Sequence, residues 1–269
     1  AVIISFILLL LALITGINQY QKSNQQLTES VSKERTIWET QGAKNPHSAA
    51  HYGTYAFKPK FALSLLDYGV TKYTGNSIFL EAHNRNEASF SEATDQTSLA
   101  RFGTLSINFV LIYLFPLIII LIGYNSYTKE LENQTLTMLK SQGVSSVKLI
   151  IGKWFATIIP IFILTMFTFL VIGVVLSNIH DLAFFSWSSL MTLLASYLVY
   201  YLIISTITVL VSLFSKSSGT SLVSTLLIWI LFSFITPKVA TNFANEAYPY
   251  PSKSEFNAAK SKKKFLITS

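Results

Sequence analysis

His47 and His51 stand four residues apart in the segment Asn45-Pro-His-Ser-Ala-Ala-His51, in a chain with 4 histidines. On a helix this spacing puts both rings on one face, where imidazoles can fill two positions of a zinc or copper site. The Glu of an H-E-x-x-H helix is absent, so hydrolytic metal chemistry is not supported. The plainer reading is packing and hydrogen bonding within a small domain, and no metal site is assigned. Glu81, Glu87, Glu92 and Asp95 gather near Arg85 and Arg101. Acid/base catalysis needs such groups fixed within reach of a substrate; this run reads as a solvated, salt-bridged loop. No G-x-x-x-x-G-K-[ST] motif is present to cradle a nucleotide phosphate. Gly152-Lys153 comes nearest, but the first glycine and the Ser/Thr are wrong. With Cys 0, disulfides and thiolate ligands are excluded. No catalytic or cofactor-binding set emerges, and an enzyme is not expected.

The elements that would position any such group are strongly apolar. The 269 residues are 51% hydrophobic and 12% charged, against about 25% charged in a soluble domain. A membrane-spanning helix needs about 20 apolar residues, with about 17 as a lower limit. Long apolar runs cover residues 1–17, 105–124, 149–176, 187–213 and 222–237. They predict an all-α polytopic protein of the lipid bilayer with five transmembrane helices. The first run has no basic residue before it and no A-x-A-like site after it, so it is read as a span rather than a signal segment. The chain starts inside that run without a Met, from which a preceding cytoplasmic segment is expected.

Lysines in short loops set the orientation. Residues 125–148 carry Lys129, Lys140 and Lys148, residues 214–220 carry Lys216, and residues 177–186 carry none. Segments 125–148 and 214–220 are therefore placed in the cytoplasm, and 18–104 and 238–269 outside. The net charge of +7 sums these lysines with Lys253, Lys260, Lys262, Lys263 and Lys264 of the tail. It forms no stripe on a soluble domain, so no nucleic acid is expected as a partner. Within the runs only Lys153, close to a cytoplasmic end, is ionisable. Ion-coupled carriers and intramembrane aspartyl proteases need ionisable groups at depth, which argues against both.

Residues 18–104 are polar enough to form a small extracytoplasmic domain. Tyr20, Leu27, Val31 and Trp38 share one helical face, so the first helix is expected to continue outward as an amphipathic one. Asn45-Pro46 reads as an N-cap followed by a first-turn proline. Gly53, Pro59, Gly69 and Gly75 divide the remainder into short pieces. Pro116 and Pro160 fall inside spans and are expected to kink them. Tyr197, Tyr200 and Tyr201, with Ser196, Ser205, Thr206 and Thr208, make the fourth run unusually polar. Such residues join helices in bilayers; they also suit the wall of a substrate path, and both readings stay open.

The richest stretch is cytoplasmic: Tyr127-Thr-Lys-Glu-Leu-Glu-Asn-Gln-Thr-Leu-Thr-Met-Leu-Lys-Ser-Gln-Gly-Val-Ser-Ser-Val-Lys-Leu-Ile-Ile-Gly-Lys153. Charged Glu130 and Glu132 open it, Leu131, Leu136, Met138 and Leu139 supply apolar side chains, and Gly143 breaks it before re-entry into the bilayer. Leu131, Thr135, Met138 and Leu139 follow helical spacing, so an amphipathic helix is expected. Its apolar face would lie in the interface or dock into a groove on a partner.

These residues resemble the permease subunits of bacterial type-2 ABC exporters. The elements E-x-x-x-G-T-L-x-x-L, S-x-P-V-S and, after an apolar stretch, G-K are followed in order at Glu130, Thr135, Leu136, Leu139, Ser141, Val144, Ser145, Gly152 and Lys153. They are departed from at Gln134, where the family usually has Gly, and at Gly143, where many members have Pro. Residues 45–58 and 95–102 resemble the subgroup with a large outer loop after the first span. The resemblance implies a coupling helix over roughly Glu130 to Ser145, including Glu132 and Gly143, seated in a separate ABC ATPase subunit. That subunit would use ATP and Mg, while this chain binds no cofactor. It further implies a homodimer or a heterodimer with a related permease, export across the bacterial inner membrane, and six spans, the sixth beyond Ser269. The alternative is a membrane-anchored extracytoplasmic binding or sensor protein, with His47 and His51 as its metal ligands.

Overall fold

The computed structural model describes residues 2–67, 69, 75–82, 88–89, 106–178, 185–249, 254–256 and 258–259. His83, His180, the Glu87, Glu92, Asp95, Arg85 and Arg101 group and the tail lysines from Lys253 onward lie outside them. The chain divides into two compact units, Ala1–Leu222 and Val223–Ser269. Four helical segments among the described residues are long and apolar enough to cross a membrane: Ile107–Glu132, Ser146–Ser177, Trp187–Phe214 and Ser218–Ala247. They overlie the second to fifth apolar runs. The first run opens helix α1 (Val2–Glu39), which continues well beyond its last apolar residue, Ile17.

In the first unit, α1 packs by a ridge of Leu9, Ala12, Leu13 and Tyr20, all buried. Spacings of three, four and seven residues stack these side chains on one helix face. Further out the expected apolar face does not persist: Val31 and Trp38 are exposed. The position turned toward the outer domain is instead Glu34. Its Oε1 accepts from the Thr54 hydroxyl at 2.9 Å and the Tyr55 backbone N–H at 2.9 Å. Polar pairing replaces apolar burial there, which a hydrophobic-periodicity reading cannot register.

The segment between α1 and the second apolar run is the exception to an otherwise helical chain. After a short helix α2 (Pro46–Ala50) come strands β1 (Thr54–Phe57), β2 (Ser77–Leu80) and β3 (Ala88–Ser89), antiparallel in the order β1-β2-β3. Four-residue strands are too short to announce themselves by alternation. Asn45 caps α2 as expected, its side chain accepting from the Ser48 N–H at 2.8 Å with Pro46 in the first turn.

The second apolar run forms α3 (Ile107–Phe109, a π turn at Val110–Leu114, then Phe115–Gly123). Pro116 explains the π turn, because it donates no N–H and its ring crowds the carbonyl four residues back. That carbonyl belongs to Ile112, and the Tyr200 hydroxyl donates to it at 3.2 Å. The Tyr201 hydroxyl donates to the Leu111 carbonyl at 2.9 Å. Both tyrosines come from the helix Trp187–Phe214, so a neighbouring helix re-satisfies what the proline disrupts. Tyr201→Phe is therefore expected to destabilise the protein by about 1 kcal/mol, read as a lower midpoint on denaturation from mild detergent. Pro160, by contrast, leaves the helical run Ser146–Ser177 unbroken.

In the second unit the chain repeats the device. A π turn, Leu231–Ile235, again precedes a residue and a proline, Thr236-Pro237, at the start of the helix Thr236–Ala247.

Candidate functional site: a polar helix pair tied to the spans

The expected coupling helix is two helices, α4 (Thr128–Glu132) and α5 (Thr135–Ser141). They are separated because Gln134 adopts a left-handed backbone, φ 57° and ψ 12°. An L-residue other than Gly, Asn or Asp is costly in that region. A single helix through Glu130 to Ser145 is thus corrected to a pair with a sharp joint. Gly143, at φ 83°, ends α5. Its N–H reaches the Lys140 carbonyl at 3.1 Å and the Val144 N–H reaches Leu139 at 3.1 Å, the paired bonds of a Schellman turn. Ser145 then caps the next helix, α6 (Ser146–Ser177), accepting from the Lys148 N–H at 3.3 Å. Gln134→Gly should raise stability by about 1 kcal/mol, and Gly143→Ala should lower it by a similar amount. Thermal unfolding of the two variants in detergent checks both signs.

Three polar side chains of α4, Thr128, Glu130 and Glu132, bond to neighbouring helices. Lys153 of α6 donates to Glu130 Oε1 at 2.6 Å, and the Thr135 hydroxyl of α5 also donates to that carboxylate. Glu132 accepts from the Ser218 backbone N–H at 2.6 Å and from its hydroxyl at 2.7 Å. Ser218 begins helix α8 (Ser218–Ile230), so the carboxylate caps that helix where its dipole favours a negative charge. Thr128, fully buried, shares a hydrogen bond with the Ser218 hydroxyl at 3.0 Å. The first N–H groups of α4, on Tyr127 and Thr128, both donate to the Ser212 hydroxyl, at 3.0 and 3.3 Å. Ser212 belongs to α7 (Trp187–Phe214). Ser221 of α8 closes the set by donating to the Tyr124 carbonyl at 2.6 Å.

One five-residue helix is thereby bonded to α6, α7 and α8 while continuing the chain from α3. Glu130 and Glu132 lie beyond the apolar part of the second span, which ends at Tyr124. Hydrogen bonds from Lys153 and Thr135 hold the Glu130 carboxyl below the usual carboxylate range. Those from Ser218 do the same for Glu132. Both are charged at neutral pH.

The apolar residues of the pair divide into two sets. Leu136 is buried against the body of the protein, while Leu131 and Met138 are 45% and 58% exposed. Val147, at the start of α6, is 64% exposed. Leu139 is half-buried, and Ser141 points its hydroxyl back to the Met138 carbonyl at 2.8 Å. The pair thus exposes Leu131 and Met138 while Glu130, Glu132 and Thr128 bond to the neighbouring helices.

The other sequence candidates lie elsewhere. Tyr200 and Tyr201 sit against α3 as described. Tyr197 donates to Asp67 Oδ2 at 3.3 Å, and Asn108 donates to the other oxygen of Asp67 at 2.9 Å. His47 and His51 stack edge-to-face on α2 and its cap, with ring centroids 4.8 Å apart. No group of three or more His, Cys, Asp or Glu suited to a metal occurs among the described residues. Sequence reasoning named Glu130 and Glu132 but missed Thr128, Ser212, Ser218 and Ser221, whose types carry no positional signal in a chain rich in Ser and Thr. Lys153 could have been found, as the sole ionisable side chain of the apolar run 149–176 and one needing a partner.

No curated protein and no solved structure matches the chain. A family model described as ABC-2 family transporter protein matches residues 1–263. With four helical segments long and apolar enough to cross a membrane and residues 1–263 matched, the chain belongs to the ABC-2 transporter family and is a multi-pass membrane permease.

Proposed function

We propose that this permease exports a substrate across a bacterial inner membrane, driven by a separate ABC ATPase subunit that docks on α4 and α5. The observation carrying the reading is that α4 is bonded to α6, α7 and α8 through Glu130, Glu132, Thr128 and Ser212. A partner that moves this helix moves three spans with it. Leu131 and Met138 supply the apolar contact, exposed beside charged Lys129 and Lys140, and a partner groove would bury them. ATP and its Mg would be bound by the partner, since this chain carries no nucleotide-phosphate motif. Closure of the ATPase around ATP would push the joint at Gln134 and rock the spans between inward and outward access.

A permease of this kind works as a dimer, with itself or with a related chain. Phe232, Val239 and Phe243 of the second unit are exposed apolar side chains suited to lipid or to a second subunit. We further propose that Tyr197, Tyr200 and Tyr201 form a packed wall of the substrate path, since the spans they join would move against each other. Affinity purification of the full-length protein in mild detergent should recover an ABC ATPase subunit. Leu136→Asp, which puts a charge into the seat of α5, should release it. Purification without any ATPase would sink the reading.

A further inference from the structure

Between β1 and β2, burial among the described residues falls on one short stretch: Ala62, Ser64, Leu65 and Leu66. A single turn of 3-10 helix, Ala62–Leu65, presents them. Ala62, Leu65 and Leu66 join the same hydrophobic core as Leu9 and Leu13 of α1 and Ile107 and Leu111 of α3. A Cβ added at Gly16 would stand 3.2 Å from Ile107 Cδ1 and 3.9 Å from Leu65 Cδ1, so α1, α3 and the turn converge there. This is the end of α3 remote from α4. Asp67, just past the turn, fastens it to two spans. Its Oδ1 accepts from the Asn108 side-chain N–H at 2.9 Å and from the Gly69 backbone N–H at 2.8 Å. Its Oδ2 accepts from the Tyr197 hydroxyl at 3.3 Å. Asn108 lies in the first turn of α3, and Tyr197 belongs to α7.

Three features make this closure releasable. The donors to Asp67 are all neutral, and among the described residues no cation pairs with it; a cationic partner would hold the carboxylate more tightly. Asn108 Oδ1 is buried without a hydrogen-bond donor among the described residues. The closed arrangement carries the cost of that unsatisfied acceptor, and access of water would remove it. The turn also has room behind it. Ser64 and Leu65 line a cleft of about 300 Å³ whose other walls include Gly16, Tyr20, Phe57 and Ser77. Packed against spans on one side and open space on the other, the turn sits where local opening costs least.

We propose that residues 61–67 are a plug closing the extracytoplasmic end of the substrate path, with Asp67 as its latch. The plug rests on the export reading and on the orientation that puts residues 18–104 outside; the latch is tested without either. Ser212, bonded to α4, and Tyr197, bonded to Asp67, stand on the same helix α7. Motion of α4 carried along α7 therefore draws Tyr197 from Asp67, and the turn withdraws into the cleft.

The chain has Cys 0, so a single introduced thiol meets no background. Ala62→Cys is nearly isosteric and, at a site 1% exposed, should react slowly with a membrane-impermeant maleimide. In full-length permease in nanodiscs without nucleotide, adding Asp67→Ala should speed this labelling about tenfold, and adding Tyr197→Phe about threefold. Tyr197→Phe keeps the ring against Phe169 and Tyr201, so its effect reports on the hydroxyl. Ser77→Cys, buried in β2, should stay protected in every background. With an ATPase subunit bound, ATP should speed labelling of Ala62→Cys about tenfold and leave Ser77→Cys protected. Equal labelling with and without the latch variants, or Ser77→Cys labelled in parallel, overturns the latch. Faster labelling in the variants, but none when the assembled complex hydrolyses ATP, overturns the plug as a moving part of transport. Recovery of no ATPase sinks the export reading, and the nucleotide-free comparison then decides the latch by itself.

Discussion

Glu130→Ala is expected to cut transport-linked ATP turnover of the assembled complex about tenfold, a typical size for a coupling free energy. The carboxylate bonds Lys153 and Thr135 at once, so its removal frees α4 from α6 and loosens α5 on the far side of the Gln134 joint. The loss should be one of coupling more than of folding. The side chains are 34% and 19% exposed for Lys153 and Glu130, and a screened pair of this kind contributes about 1 kcal/mol. Denaturation of the permease should therefore shift little while turnover falls steeply. Lys153→Glu combined with Glu130→Lys should recover part of the activity, because the pair is re-formed with its sign reversed. No recovery, with each single variant equally impaired, would assign the effect to something other than this contact.

Gly123→Val is expected to destabilise the permease by about 2–3 kcal/mol, the upper range for forcing volume into a packed core. A Cβ added at Gly123 would stand 2.8 Å from Thr157 Cγ2 and 2.9 Å from Thr208 Cγ2. Neither threonine can readily swing away. Thr157 donates to the Lys153 carbonyl at 2.9 Å and Thr208 to the Ile204 carbonyl at 2.8 Å, and both are essentially buried. Three helices meet here at the distance a small residue allows. Gly123 also directly precedes Tyr124, whose carbonyl holds Ser221, so displacing α3 pulls on α8 as well. Unfolding in a denaturing-detergent titration should show the midpoint falling in the order wild type, Gly123→Ala, Gly123→Val.

The membrane-crossing helices were legible from apolar run lengths, since a bilayer imposes a minimum that composition must meet. Asn45 and Gly143 were legible for local reasons, a side-chain oxygen before a proline and a residue tolerant of positive φ. The break at Gln134 was not. A glutamine offers no left-handed preference, so periodicity alone carried the helix through Leu131, Thr135 and Met138. The departure from the glycine expected there changed the residue and kept the backbone that glycine serves. Pro116 announced an irregular helix, but only the packed arrangement shows Tyr200 and Tyr201 donating to the carbonyls beside it. The same limit applies to Ser212 and Ser218. Their hydroxyls matter through neighbours more than 80 residues away in sequence, a relation that no local pattern encodes.

ATPase docking on α4 and α5 is open to a direct test. A photo-crosslinking amino acid at Met138, irradiated in native membranes, tests it most directly. An adduct whose second component is an ABC ATPase subunit is expected, with the same probe at exposed Trp38 near the end of α1 giving none. An ATPase that co-purifies with the permease yet is never captured from Met138 or Leu131 would contradict it.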